Sequence, residues 1–73
     1  MKPLFTALIE KEDDMYVALC PEIDIVSQGV SVEDAKKNLK EAVELFFECA
    51  SENEIKTRLH YDVYISPLEV TIG

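Results

Sequence analysis

The chain has 73 residues, with 15 acidic against 7 basic ones and a formal net charge of −8. A single domain of this length, 1–73, buries only roughly 60% of the surface exposed by its unfolded chain, so help from self-association is expected. The charge disfavours sequence-independent attraction to a phosphate backbone and leaves two readings, plain solubility or electrostatic steering toward a basic protein.

Cys20 and Cys49 are too few for a disulfide scaffold and lack CxxC spacing, and His60 does not complete a common zinc set with them. No metal or cofactor is expected. Met1 leads directly into Lys2, Pro3 and an alternating pattern, without the apolar core and cleavage site of a secretory signal. No apolar run approaches the roughly 20 residues that span a bilayer. A cytoplasmic chain that does not enter membranes is the expectation.

From the N-terminus, residues 4–10 alternate with Phe5, Ala7 and Ile9 on one side and Leu4, Thr6 and Leu8 on the other, which is strand chemistry. A charged connection, Lys11-Glu12-Asp13-Asp14, leads to a second alternating run over 15–20 that ends at Pro21. The two read as an antiparallel hairpin, although the loop lacks the Asn-Gly or Asp-Gly signal of the tightest turns. Residues 23–28 form a weaker third strand, and Gly29 after it frees the backbone to turn.

The most legible segment is 31–53, SVEDAKKNLKEAVELFFECASEN. Ser31 three residues before Asp34 is a helix start, and Val30 and Ala35 occupy the positions of a hydrophobic staple. Ala35, Leu39, Ala42, Val43, Phe46 and Ala50 recur at steps of three and four, so they share one stripe of a long helix. Glu33–Lys37, Lys37–Glu41 and Lys40–Glu44 are i,i+4 pairs on the solvent side. Leu45 and Phe47 flank the stripe, each widening the contact with a sheet edge or with a second subunit.

Residues 51–59 read as the helix end and a polar connection. Residues 61–66 alternate as Tyr61, Val63, Ile65 against Asp62, Tyr64, Ser66, a fourth strand. Beyond Pro67, Leu68, Val70 and Ile72 resume alternation in shifted phase, as a bulge or short continuation at a sheet edge. The pattern predicts an α+β fold: a single antiparallel sheet with one long helix packed on one face, in the order β-β-β-α-β. One helix covers one face, so Leu4 and Leu8 mark an uncovered apolar face, a candidate association surface. A homodimer or higher oligomer, or a tight partner, follows.

Catalytic chemistry has little support. Asp13, Asp14, Glu22 and Asp24 lie near strand ends, where paired carboxylates can hold Mg²⁺, but consecutive acids in a turn are more often solvated. His60 has no Ser, Cys or Asp companion at motif spacing, and phosphate-binding, zinc-protease and hydrolase signatures do not occur. A non-enzymatic interaction domain is expected.

The run Tyr16-Val17-Ala18-Leu19-Cys20-Pro21-Glu22-Ile23-Asp24-Ile25-Val26-Ser27-Gln28-Gly29, followed by Val32-Glu33-Asp34-Ala35 and Asn38-Leu39-Lys40-Glu41-Ala42-Val43-Glu44-Leu45-Phe46, resembles the HicB-like antitoxin family. The resemblance extends over about positions 4 to 66 and rests on the combination of a proline-ended strand, a Ser-Gln-Gly turn and the helix motif at fixed spacing. It implies a partly trimmed ribonuclease-H-like fold without that superfamily's catalytic carboxylates. It also implies an antitoxin role, in which the chain masks the active site of a small basic HicA-type ribonuclease toxin. Full antitoxins of the family carry a C-terminal DNA-binding segment; this chain resembles a short variant without it, so no direct DNA binding is expected. The alternative is a stand-alone homo-oligomeric HicB-like protein with a structural or regulatory role and no toxin.

Overall fold

The computed structural model describes residues 4–73 and orders its elements as β-β-β-α-α. Strand β1, Leu8–Glu12, pairs antiparallel with β2, Met15–Cys20, which pairs antiparallel with β3, Ile25–Gly29. The central strand is therefore β2, and β1 and β3 are edges. Helix α1, Val32–Cys49, packs across one face of the sheet, and α2, Glu52–Arg58, follows it. The α+β class and the long helix on a single antiparallel sheet are as the sequence pattern predicts.

The core follows from the alternation. Ala18 and Cys20 of β2 are fully buried with Ile23, and above them sit Ala35, Leu39 and Val43 of the helical stripe. Ala42, Phe46 and Ala50 of the same stripe are half-buried. The Ser31 hydroxyl accepts the Asp34 N–H at 3.1 Å, so the expected cap is formed, with Glu33 and Asp34 against the positive end of the helix. The staple is not: Val30 remains exposed while Ala35 is buried under β3. Of the three expected ion pairs, Lys40–Glu44 forms at 3.7 Å on an exposed surface among the described residues.

Three local features differ from the pattern. The hairpin loop is two residues, not four: Glu12 pairs with Met15, and Asp13 supplies the positive φ, 55°, that tight hairpins need and aspartate tolerates. Strand β3 begins at Ile25 rather than Ile23, because Asp24 takes φ 56° and breaks the extended run, leaving Ile23 in a turn with its side chain in the core. Gly29 has no positive φ; a Cβ there would lie 2.4 Å from the Ala35 backbone nitrogen, so its role is close approach of β3 to the first turn of α1.

The largest departure is at the C-terminal end. Helix α1 stops at Cys49, and Ser51 starts a second helix with a full capping box: its hydroxyl accepts the Glu54 N–H at 3.1 Å and its N–H donates to Oε1 of Glu54 at 3.4 Å. Residues 61–66, expected as a fourth strand, form no strand, and neither do 68–72. Local alternation marks a segment that can pair, whereas pairing itself needs an edge brought to it.

Candidate functional site

Strand register divides the sheet residues between two faces. Ile9, Ala18, Cys20 and Ile25 face α1, since each belongs to the core or packs against it. By alternation the opposite face carries Leu8, Leu19 and Val26 in one row across the three strands, then Glu10, Val17 and Gln28, then Glu12 and Met15. Neither helix packs on that face. Leu8 is 40% exposed and Val26 59%, while Val17 and Leu19 of the central strand are half-buried between them. Leu8, Glu10, Val17 and Leu19 line a shallow depression of about 240 Å³.

Of the two residues that marked this surface in the sequence, Leu8 lies in its first row and Leu4 does not. Leu4 precedes β1 and is 94% exposed. The strand starts late because the lead-in is held by a side chain instead of a ladder. The Thr6 N–H donates to Oε1 of Glu22 at 2.9 Å, and the Thr6 hydroxyl donates to its Oε2 at 2.5 Å.

Glu22 is the one buried charged residue among those described, 7% exposed. Burial works against its ionisation and is the largest influence on it. The hydrogen bonds from Thr6, with smaller help from its own backbone and the Cys20 thiol, outweigh that cost and hold its pKa below the usual glutamate value. The Cys20 thiol donates to Oε1 of Glu22 at 3.5 Å, and its own pKa is pushed up by burial, then by the Glu22 hydrogen bond and charge. The cluster therefore consists of a carboxylate kept ionised and a thiol kept neutral. Cys20 is an inert donor here, not a nucleophile. The Glu22 carbonyl also accepts the His60 N–H at 2.8 Å, tying the end of α2 to the strand junction.

The four strand-end carboxylates do not converge. Asp13 and Asp14 precede β2 and Glu22 and Asp24 follow it, so the six residues of that strand, about 20 Å of chain, separate the pairs. Among the described residues no group of three or more His, Cys, Asp and Glu side chains is placed to hold a metal ion. His60 Nε2 lies 3.9 Å from Asp24 Oδ2, a solvent-exposed pair of small weight.

The two residues that flank the helical stripe part ways, Phe47 meeting the sheet as expected and Leu45 not, and the contacts of Arg58 are a feature the sequence pattern does not announce. Phe47 packs on Phe5, with ring centroids 5.7 Å apart, so that flank of α1 meets the start of the sheet; Leu45 stays exposed and lines a depression of about 370 Å³ with Ala42, Phe46, Cys49 and Ala50. Arg58 stacks 5.1 Å over the Phe46 ring and donates to the Asp24 carbonyl at 2.6 Å, which fastens α2 to the head of β3. Ser51 three residues before Glu54 is a capping-box pattern that could have announced α2, although 51–59 reads first as a helix end and polar connection; the reach of Arg58 to Asp24 has no such signal, being purely tertiary.

Fold and surface together define a small α+β domain with one sheet face covered by a helix and the other open, apolar at its centre and acidic at its margin. The chain belongs to the UPF0150 family. It is 37% identical to a UPF0150 protein of Helicobacter pylori over 71 residues, 96% of this chain and 99% of that one. A UPF0150 protein of Synechocystis is 46% identical over 50 residues, 66% of this chain and 69% of its own length. No family model and no solved structure matches the chain. Among the described residues no helix is long and apolar enough to cross a membrane.

Proposed function

We propose that this chain is a non-enzymatic cytoplasmic protein-binding domain of HicB-like character, which neutralises a small basic HicA-type ribonuclease by masking its active site. The observation that carries this reading is the open sheet face. Leu8, Val17, Leu19 and Val26 form an apolar centre, and Glu10 and Glu12 of β1, with Asp13 and Asp14 at the hairpin tip, supply acid beside it. An apolar centre with a charged rim is the anatomy of a protein interface. Its sign suits a basic partner, and the net charge of −8 extends the same field over the whole molecule. Inhibition then needs no chemistry from this chain. The apolar centre anchors the complex, and the acids accelerate encounter and occupy the cationic groups with which a ribonuclease holds phosphate.

The two parts of the face have different kinetic signatures. Val26→Asp places a charge in the apolar row at an exposed position, so the fold is kept, and affinity for the ribonuclease is expected to fall at least about tenfold, mainly through faster dissociation. Glu10→Lys with Glu12→Lys is expected to slow association and flatten its salt dependence. Surface plasmon resonance at two ionic strengths reads both. Unchanged rates for both variants would place the binding surface elsewhere.

A further inference from the structure

Residues 61–66, and in shifted phase 68–72, alternate as strands do and are not used as strands. Among the described residues no backbone hydrogen bond joins this segment to the sheet; its own bond is a tight turn, from the Val63 N–H to the Tyr61 carbonyl at 2.8 Å. Its side chains are exposed despite being apolar: Tyr64 is 89%, Leu68 84% and Ile72 92% accessible. The radius of gyration is 14.3 Å and the longest extent 49 Å, against about 11 Å expected for the radius of a compact chain of this length. The excess belongs to a tail that leaves the body after Tyr61, whose ring stacks on Phe5 at 6.4 Å beside the entry to β1.

The two sheet edges differ in their readiness for another strand. On β3 the Gln28 carbonyl already accepts Asn38 Nδ2 at 2.7 Å, and just before the strand the Asp24 carbonyl accepts Arg58. Those side chains close that edge in the way natural sheets protect exposed strands. On β1, among the described residues, no side chain or backbone group caps the outer edge, and the strand presents Leu8–Glu12 unpaired. One molecule thus carries an unpaired strand-forming tail and an unpaired strand edge.

We infer that the tail of one chain, residues 61–66, adds as a strand to the free β1 edge of a second copy, in a reciprocal exchange that makes the protein a two-fold dimer. Each copy supplies one tail and one edge, so a reciprocal exchange about a two-fold axis uses both on each chain and closes at two, whereas a one-way exchange would leave a tail and an edge free to propagate. The charge pattern selects the occupant. Only Asp62 and Glu69 of the thirteen tail residues are charged, in a chain that is 30% charged overall, so the tail offers little to a basic or nucleic-acid partner and much to apolar burial. If half of the exposed apolar area of each tail is covered, about 500 Å² per tail and as much on the surface beneath it, two tails bury roughly 2,000 Å² in total, within the range of stable interfaces. The open sheet face stays free in this arrangement, so self-association and partner binding are compatible.

Light scattering on the full chain over a micromolar concentration series is expected to give twice the 8.3 kDa chain mass. Tyr64→Pro and Ile65→Pro test the contact: successive N–H groups point to opposite sides of a strand, so one of the two prolines must remove a ladder donor. At least one is expected to weaken the dimer tenfold or more while the circular dichroism of the folded body is retained. Amide exchange adds an independent readout, with protection over 61–66 in the dimer that is lost on dilution to monomer. A monomeric wild type overturns the inference, whether its tail is protected, as closure on its own β1 would make it, or unprotected, as a tail awaiting a different protein would be. A dimer indifferent to both prolines overturns it equally.

Discussion

Gly29→Ala is expected to destabilise the fold by about 3 kcal/mol, at the upper end of what overpacking usually costs. The added Cβ would stand 2.4 Å from the Ala35 nitrogen, 2.7 Å from the Asp34 carbonyl carbon and 2.8 Å from the Asp34 Cβ. Two of those three neighbours are helix backbone, so no rotamer change relieves the clash. Relief requires moving the first turn of α1, which also carries the Ser31 cap and seats Ala35 and Leu39 in the core. Against a total stability of about 4–11 kcal/mol for a domain of this size, such a loss is severe. Thermal denaturation followed by circular dichroism should show a fall in Tm of about 12–24 °C. A fall of only a degree or two would mean that β3 and α1 are not in this close contact.

Glu22→Ala is expected to cost a comparable amount, about 3 kcal/mol, because it removes a buried charged acceptor and leaves the Thr6 N–H without its partner. The lead-in to β1 loses its anchor. Glu22→Gln retains an acceptor of the same shape and should cost about 1 kcal/mol. The two variants also divide the acid response. The folded pKa of Glu22 is lowered, so its ionised form stabilises the fold; that contribution is complete above the ordinary value of 4.5 and is lost as pH falls through the depressed folded value. Melting at about pH 7 and about pH 3 should therefore show a smaller acid-induced loss in Glu22→Gln than in the wild type. Equal losses would show that the Thr6 clamp contributes nothing through its charge.

How far the sequence could be read depended on the range of the interaction concerned. Helix α1 is written locally, in a Ser31 cap and a stripe of period three and four, and both are found in place. The hairpin is likewise local, though its turn was read too long, because aspartate at positive φ substitutes for the glycine that usually announces a two-residue loop. The end of α1 carried neither Gly nor Pro; it was Ser51 with Glu54 three residues on that marked the restart as α2. Strand pairing is not local. The alternation over 61–66 states that the segment can be a strand, but not which edge it meets, and in the single chain it meets none. Of the candidate surface, Leu8 was legible from alternation, and Leu4 was misplaced because the strand begins only after the Thr6 contact with Glu22. Glu22 itself, read among solvated turn acids, is buried by contacts sixteen residues away in sequence. No periodicity reports a contact of that range.

The central claim is that the open face of the sheet binds a small basic ribonuclease and silences it. The most direct measurement mixes the purified chain with a small basic HicA-type ribonuclease, taken from the adjoining reading frames where one is encoded there, and follows cleavage of a fluorescent RNA against the concentration of this chain. Cleavage should fall to background at stoichiometric addition, the two proteins should elute together on gel filtration, and Val26→Asp should shift the inhibition curve to at least about tenfold higher concentration. Undiminished cleavage with the two proteins eluting separately would contradict the claim.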